Sequence, residues 1–279
     1  MPEGPEIRRA ADQLEKSIMG KPIQEVELLH PTLTGHESLF VNHCVTHIDT
    51  RGKAMLTRLS SGWTVYSHNQ LYGRWTVNRV STNPRSNRAL RLAITTNSHT
   101  ARLWSATDID LFRTGQEVSH PFIAGLGPDV LNPESTQSVL RDQLASTSCR
   151  RRKAASLMLD QHAFAGLGNY LRSEILFKAG VHPDDRPADL DKDHLERWAA
   201  VISELSLRTY QTGGITVDKK MAEVGKASKL PRRTWRHYVF NREGLDCPAC
   251  TTRIVRKRYG GRRLDFCPKC QTSHRTSKT

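Results

Sequence analysis

Four of the six cysteines form two Cys-x2-Cys pairs near the end of the chain, with sixteen residues between the pairs. Two such pairs at this separation predict a tetrahedral site in which four thiolates hold one zinc ion, as in zinc ribbons. Because protein fills all four coordination positions, we expect the zinc ion to be structural; a redox dithiol is the alternative. The predicted ligands are Cys247, Cys250, Cys267 and Cys270. Cys44 and Cys149 stand alone, and six cysteines in a chain of this length do not indicate a disulfide framework.

The positive charge of the chain is concentrated in the same region. The 279 residues carry a formal net charge of +14, and residues 219–279 hold seventeen Lys and Arg against four Asp and Glu. This asymmetry favours a polyanionic partner, most often nucleic acid, over a solvated basic tail or an anionic membrane surface. No apolar run reaches the ~18 residues of a membrane-spanning helix, and the N-terminus has no apolar signal segment. We therefore expect a soluble, cytoplasmic protein.

The pattern of apolar residues divides the chain into a strand-rich half and a helical half. Apolar residues at helical spacing predict a first helix that stops at Gly20. Six short stretches between about residues 23 and 105 read as strands separated by turn residues, which predicts an antiparallel sandwich or barrel. Beyond a Pro- and Gly-rich linker, an apolar stripe from Leu195 to Leu205 predicts a helix capped by Asp191. The length fits two modest domains and a small module.

A glycine-lined turn, AFAGLG at 163–168, interrupts the helical half. One helix is predicted to run to about Gln161 and a second from Asn169 to Gly180. A turn that feeds a helix N-terminus presents free backbone N–H groups, which bind phosphate well, and Asn169 could add a side-chain donor. An ordinary helical hairpin, whose glycines only permit close packing, explains this segment equally well on its own.

These features together resemble one family. The opening MPEGPE, the lysine of RGKAML, the LDQ…AGLGNY turn and the terminal cysteine hairpin occur in this order in the bacterial formamidopyrimidine-DNA glycosylase/endonuclease VIII family of base-excision repair enzymes. The resemblance covers nearly the whole chain, and HNQLYG at 68–73 is similar to the endonuclease VIII branch. It implies an α+β fold with an N-terminal antiparallel β-sandwich domain, a helical helix-two-turn-helix domain and a zinc-finger hairpin. The expected bounds are 1–120 for the sandwich, 121–132 for a linker, 133–236 for the helical domain and 237–271 for the zinc finger.

The resemblance gives the start of the chain a chemical purpose. Removal of Met1 leaves Pro2 with a free secondary amine, and an α-amine has a pKa near 8, against about 10.4 for lysine, so more of it is neutral at pH 7. Attack by Pro2 on the sugar carbon that bears a damaged base gives an iminium. Its permanent charge acidifies the neighbouring carbon, which permits β-elimination and then δ-elimination. The family therefore implies a bifunctional DNA glycosylase and AP lyase.

The other catalytic roles are implied by family position. Glu3 matches the general acid that protonates the sugar as its ring opens, and Lys53 matches the proton donor and phosphate contact for β-elimination. Arg262 matches the arginine that grips the phosphate beside the lesion and assists δ-elimination, a task that suits a bidentate guanidinium. Its neighbour Arg263 leaves a one-residue ambiguity. Glu6 is a possible second carboxylate, but a glutamate in the first turn also suits a helix N-terminus, and we favour that interpretation.

Two more DNA-binding sites are implied by the family. Gln70, Leu71 and Tyr72 match the loop that fills the space left by an extruded nucleotide, with Leu71 as the wedge and Tyr72 stacking. Read alone, this stretch is an ordinary turn before a strand. Asn169 is the expected phosphate contact at the glycine-lined turn.

Two features depart from the family pattern. Gly125 stands where an arginine is expected in the linker, which removes one phosphate contact. The segment 211–235 is longer and more basic than expected, and the sequence assigns it no role.

The predicted enzyme removes oxidised pyrimidines, such as thymine glycol and dihydrouracil, from double-stranded DNA containing damaged bases. It acts as a monomer in the cytoplasm, associated with the nucleoid and with no membrane. A non-catalytic zinc-ribbon DNA-binding protein is the alternative, but it leaves Pro2, Glu3 and Lys53 without a purpose. A third interpretation, an enzyme that uses Pro2 as a general base on a small keto acid, needs neither the zinc module nor the basic tail.

Overall fold

The computed structural model describes residues 2–82 and 84–275. The chain divides into two compact units, one ending at Gly125 and the other beginning at Leu126. The finer division of the chain into four segments stays a prediction. In the part of the chain that is described, no helix is long and apolar enough to cross a membrane.

The first unit consists of a helix and two four-stranded antiparallel sheets, which confirms the predicted sandwich. One sheet has the strand order β1-β6-β7-β5 and the other β2-β3-β4-β8. The elements are α1 (Gly4–Ile18), β1 (Glu25–Leu28), β2 (Val45–Arg51), β3 (Ala54–Leu59), β4 (Trp63–His68), β5 (Arg74–Arg79), β6 (Leu90–Thr95), β7 (His99–Trp104), β8 (Asp108–Arg113) and α2 (Pro121–Ala124).

Two apolar clusters stabilise the first unit. The larger one joins residues of both sheets to one face of α1, where Ile7, Leu14 and Ile18 are buried. The smaller one contains Leu56 and Tyr66 with residues of α2. Because strand β3 contributes to both clusters, it is buried on both faces, which explains why its sequence is a nearly continuous apolar run.

The second unit contains five helices and a β-hairpin among its described residues. They are α3 (Gln137–Ala145), α4 (Ala154–Leu157), α5 (Asn169–Ala179), α6 (Lys192–Thr212), α7 (Lys219–Ala227), β9 (Val255–Tyr259) and β10 (Arg262–Phe266). Its main core packs α3, α5 and α6 with the inner face of the hairpin. The predicted cap of α6 is confirmed, since Oδ1 of Asp191 accepts a hydrogen bond from the backbone N–H of His194 at 2.8 Å.

The structure corrects three expectations about elements. Strands β5 and β8 were not predicted, because charged residues stand at both ends of each strand and leave an alternation of only two or three apolar residues. The helix expected to reach Gln161 ends at Leu157, and Asp160 accepts a hydrogen bond from the N–H of His162 at 2.9 Å, a local turn that competes with a helix. The basic segment 211–235 contains α7, for which no helix was predicted.

Candidate functional site

The start of the chain in the first unit is held by the first turn of α1. Glu3 is the N-cap, and its backbone N–H donates to Oε2 of Glu6 at 2.9 Å. Its carbonyl accepts from the N–H groups of Glu6 at 3.0 Å and Ile7 at 3.1 Å. Glu6 therefore caps the helix, as the sequence indicated. Chain ends are usually loose, whereas here the capped turn fixes the backbone that directly follows Pro2.

The carboxylate expected to act as an acid is buried. Glu3 is only 3% exposed although it lies next to a chain end. Pro2 is partly exposed. The residue that directly follows Pro2 therefore carries a buried carboxyl group, and proton transfer in a reaction at Pro2 needs an acid or base held near it.

Lys53 lies at the tip of the hairpin formed by β2 and β3, as predicted. Arg51 pairs with Ala54, so Gly52 and Lys53 form a two-residue turn, and Gly52 has a positive φ of 58°. Glycine at the first position of such a turn is the usual choice. A lysine at a hairpin tip is ordinarily solvated, but Lys53 is only 6% exposed. The turn therefore directs this side chain into the unit rather than into solvent.

His68 is a neighbour of Lys53 that sequence reasoning did not identify. It pairs with Ala54 in the β3–β4 ladder and lies at the end of β4. Burial lowers the pKa of His68, and the positive charge of Lys53 lowers it further against the opposing effect of Asp108. The imidazole is therefore neutral at pH 7, and its Nδ1 accepts from the N–H of Gln70 at 3.0 Å. No sequence signal beyond its place in HNQLYG pointed to this contact.

The loop at residues 69–73 presents its two large side chains to solvent. Leu71 is 60% exposed and Tyr72 is 70% exposed. The loop backbone is closed by a hydrogen bond from the N–H of Gly73 to the carbonyl of Asn69 at 2.7 Å. A Cβ at Gly73 would lie 2.5 Å from that carbonyl oxygen, so only glycine permits this closure.

Two residues outside the loop restrain it. The hydroxyl of Thr107 donates to Oε1 of Gln70 at 2.9 Å, and Gln70 has a positive φ of 47°. The guanidinium of Arg88 donates to the carbonyl of Tyr72. Exposed apolar side chains on a restrained loop fit a wedge better than an ordinary turn, because insertion then requires little ordering.

In the second unit, Gln161 organises the glycine-lined turn. Its amide nitrogen donates to the carbonyls of Leu159 at 3.1 Å and Leu167 at 2.9 Å, and its oxygen accepts from Gly166 at 3.1 Å. Helix α5 then begins at Asn169, as predicted. The sequence identified this glutamine only as the expected end of a helix.

Arg172 joins the start of α5 to the β-hairpin. This fully buried guanidinium donates to Oδ1 of Asn169 at 2.7 Å, to the carbonyl of Arg263 at 2.8 Å and to the carbonyl of Ala155 at 3.0 Å. Because the oxygen of Asn169 is occupied, its amide nitrogen remains as the donor for a ligand. The buried guanidinium of Arg172 therefore contacts both predicted phosphate-binding positions, Asn169 and the strand that carries Arg262 and Arg263.

The two candidate arginines differ in their surroundings. Arg262 pairs with Tyr259 across the hairpin turn, is exposed, and forms no ion pair in the described part of the chain. The guanidinium of Arg263 lies 5.4 Å from the ring centroid of Phe240. Arg262 is therefore the more available of the two for a ligand.

The segment before the hairpin is held by Glu174. This buried carboxylate accepts from the N–H groups of Tyr238 at 2.7 Å, Val239 at 2.8 Å and Phe240 at 2.7 Å, and from the hydroxyl of Thr216. Burial raises the pKa of Glu174, and these four donors oppose that shift. The carboxylate fixes three consecutive backbone groups on the approach to the hairpin.

The four predicted metal ligands converge in the second unit. Their sulfur atoms lie within 4.8 Å of one another, with Cys247 and Cys270 at 3.8 Å and Cys250 and Cys267 at 3.4 Å. A tetrahedron with metal–sulfur bonds of about 2.3 Å has edges of roughly 3.8 Å. The cluster therefore fits a tetrahedral metal ion.

Comparison with known proteins agrees with these features. The family model of the formamidopyrimidine-DNA glycosylase N-terminal domain matches residues 1–108, and that of the formamidopyrimidine-DNA glycosylase H2TH domain matches residues 126–221. Endonuclease 8 of Escherichia coli O9:H4 (strain HS) is 42% identical over 271 residues, which cover 97% of this chain and 100% of the relative. Endonuclease 8 of Shigella flexneri is also 42% identical with the same coverage.

Solved structures share the fold. Lactococcus lactis Fpg in complex with DNA containing an abasic site has a TM-score of 0.79 and 23% identity, and the match covers 97% of this chain and 100% of that one. The same protein in complex with DNA containing an oxidized pyrimidine has a TM-score of 0.80 and 23% identity over 98% of this chain and 100% of that one. The predicted fold class is confirmed.

Proposed function

The chain belongs to the formamidopyrimidine-DNA glycosylase and endonuclease 8 family, and from this premise we propose that it excises oxidised pyrimidines from DNA through an iminium formed by Pro2. It is a DNA glycosylase and AP lyase of base-excision repair. The alternative of a non-catalytic zinc-ribbon protein is not favoured. The observation that carries the chemical proposal is the buried carboxylate of Glu3, fixed directly behind Pro2 by the cap of α1.

The glycosylase step forms one bond and breaks two. The lone pair of the Pro2 nitrogen attacks C1′ of the damaged nucleotide, and the bond from C1′ to the base breaks, with the electron pair leaving on the base. The proton that the Pro2 nitrogen then loses neutralises the departing base. The ring bond from C1′ to O4′ then opens as the Glu3 carboxylic acid protonates O4′, which leaves an iminium at C1′.

The lyase steps follow from the iminium charge. A solvent molecule takes the proton from C2′, and the electron pair of that C–H bond forms the C2′–C3′ double bond as the 3′ phosphate departs. Lys53 holds and protonates the leaving phosphate from the hairpin tip. A second elimination releases the 5′ phosphate, which Arg262 binds with two N–H donors. The same sequence of bonds explains why one amine supports both activities.

In this proposal the second unit binds the phosphate groups of the DNA backbone. Asn169 offers an amide donor at the N-terminus of α5, and the arginines of the hairpin add charge. We propose that the four cysteines hold one structural zinc ion, since their spacing fits a closed four-sulfur site. Such a zinc ion, when bound, supplies folding free energy to the hairpin that carries Arg262. The first unit supplies the wedge, with Gln70, Leu71 and Tyr72 entering the stack.

We further propose that the enzyme acts as a monomer on double-stranded DNA containing damaged bases, in the cytoplasm and associated with the nucleoid. The support is that one chain carries the nucleophile, the acid and the cationic surfaces together. Light scattering of the purified protein with and without a lesion duplex tests the monomer. A dimer in either sample contradicts it.

Borohydride trapping tests the chemistry. Reduction during reaction with a duplex containing thymine glycol should join protein to DNA, and digestion of the adduct should place the DNA on residue 2. An adduct on Lys53, or a retained Met1 in an active protein, contradicts the role of Pro2. A panel of lesion duplexes tests the substrate class, and preferred excision of 8-oxoguanine opposite cytosine contradicts the assignment to oxidised pyrimidines.

A further inference from the structure

Residues 216–237, here called the α7 module, form an ordered structure that the proposed chemistry does not use. Asp218 caps α7, since its Oδ1 accepts from the N–H of Met221 at 2.9 Å. The ends of the module meet where the N–H of Thr216 donates to the carbonyl of Arg236 at 2.9 Å. The segment that the sequence left without a role is therefore a closed substructure.

Trp235 docks the returning chain onto α7. A Cβ at Gly225 would lie 2.5 Å from the tryptophan ring, so the close approach depends on glycine. The indole N–H donates to the carbonyl of Leu230 at 3.3 Å. The guanidinium of Arg232 donates to the carbonyls of Thr212 at 3.1 Å and Gly213 at 2.5 Å. These contacts give the module a fixed surface.

That surface is strongly cationic. Residues 219–236 contain seven Lys and Arg against a single acidic residue, Glu223. Five of the cations are exposed and form no ion pair in the described part of the chain: Lys219, Lys220, Lys226, Lys229 and Arg233. Like charges at this density repel one another, so the surface is suited to a polyanion that neutralises them.

The base of the module lies against the helix that carries Asn169. The ring of His237 packs on Tyr170 with centroids 5.3 Å apart, and Tyr170 is the residue after Asn169. Glu174, one turn further along α5, holds the backbone of residues 238–240. Residues 237–240 therefore join the module to the helix that carries Asn169.

We propose that the α7 module binds the phosphate backbone of the DNA duplex, independently of sequence, and extends the contact proposed for Asn169. This inference rests on the proposed function. Lys219 and Lys226 are seven residues apart on one face, or about 10 Å along the axis, a distance that spans roughly three phosphates of one strand. An anionic membrane is less suited, because Val224 and Leu230 are the two large apolar side chains that the module exposes.

A salt series tests the proposal with two variants of equal charge. The test variant carries Lys220→Gln, Lys226→Gln and Lys229→Gln. The matched control carries Lys16→Gln, Lys192→Gln and Arg197→Gln, three exposed cations outside the module that form no ion pair in the described residues. Fluorescence anisotropy measures the affinity of each for a duplex with a non-cleavable abasic analogue and for the undamaged duplex.

The plot of log affinity against log salt has a negative slope, and each lost phosphate contact should reduce the magnitude of that slope by about 0.9. The slope of the test variant should therefore be shallower than that of the wild type by up to about 2.7. Its affinity should fall equally for both duplexes, whereas the control should keep the wild-type slope. Equal slopes for the two variants overturn the proposal. The proposal is also overturned if the test variant loses binding to anionic phospholipid vesicles while its salt slope for DNA equals that of the wild type. Failure of the wild type to form the borohydride adduct overturns the proposed function instead, which separates the two failures.

Discussion

The two units of the molecule present their candidate functional groups in opposite ways. In the first unit the groups are few, and two of them, Glu3 and Lys53, are buried although they belong to a chain end and a hairpin tip. In the second unit the groups are many, cationic and exposed, and buried residues such as Arg172 and Glu174 hold the backbone beneath them. The first unit thus carries the groups proposed for the chemical steps, and the second unit carries a binding surface made of many charges.

This difference predicts different responses to substitution. Loss of a group in the first unit should remove a step outright, because each proposed step uses one side chain. Loss of one exposed cation in the second unit should weaken binding by a graded amount, because the remaining phosphate contacts persist. Loss of a buried support in the second unit should instead destabilise the fold.

The largest effect should come from blocking the amine of Pro2. An extra glycine between Met1 and Pro2 turns that amine into an amide, whose lone pair is delocalised and not nucleophilic. Borohydride trapping should fall to background, while DNA binding measured by anisotropy should persist. Pro2→Gly is the matched control, since it keeps a primary amine and should retain some trapping. A borohydride adduct on Lys53 of the extended protein would show that the amine of Pro2 is not the required nucleophile.

Removal of a metal ligand should have the next largest effect. Cys267→Ser leaves three thiolates, so zinc content should fall, and because metal binding is folding free energy here, thermal stability and DNA binding should fall with it. Cys44→Ser, at a lone and partly buried cysteine, should change neither. Metal analysis, thermal melts and anisotropy measure these quantities. Wild-type lyase activity after complete zinc removal would show that the hairpin does not need its metal.

Glu174→Gln tests the support beneath the exposed surface. Glutamine offers one oxygen and a donor in place of two acceptors, so at least one of the buried N–H groups at residues 238–240 loses its partner. We expect the free energy of unfolding to fall by about 3 kcal/mol. Glu204→Gln, which breaks the more exposed pair with Arg208, should cost less than about 1 kcal/mol. Denaturant titration measures the free energy of unfolding of both variants. Equal decreases would show that the buried carboxylate of Glu174 stabilises the fold no more than an exposed ion pair does.

The buried histidine of the second unit should make stability depend on pH. Burial lowers the pKa of His237 to about 3, with Arg236 adding to the shift. The unfolded chain binds this proton below its ordinary pKa near 6.5, so the unfolded state holds more protons between pH 6.5 and 3, and stability falls as pH falls. The loss at pH 5 relative to pH 7 should be about 2 kcal/mol. His237→Phe should lack this part of the loss in denaturant titrations at both pH values; an identical pH dependence contradicts the burial effect.

Much of this arrangement follows from the sequence, and the omissions have physical causes. The cysteine spacing, the Gly52–Lys53 turn and the start of α5 at Asn169 are local patterns, so they could be predicted. The contacts of Arg172 with the hairpin and of Thr107 with the wedge loop join residues distant in sequence, and no local pattern encodes them. Strands β5 and β8 were missed because the charged residues at both ends of each strand leave an alternation of only two or three apolar residues.

The smallest expected effect concerns the restraint on the wedge. Thr107→Val removes the hydroxyl that donates to Gln70 while keeping the shape of the side chain, so one hydrogen bond worth about 1 kcal/mol is lost. Excision of thymine glycol should slow by roughly fivefold, because the loop must then be ordered when it enters the stack. Cleavage of a preformed abasic site should slow less, since the missing base already lowers the free energy of extrusion. Leu71→Ala, which removes the wedge itself, should show the same preference with a larger loss. Single-turnover rates on the two substrates measure the ratio, and equal losses on both would mean that the loop serves general binding, as the second unit does, rather than extrusion.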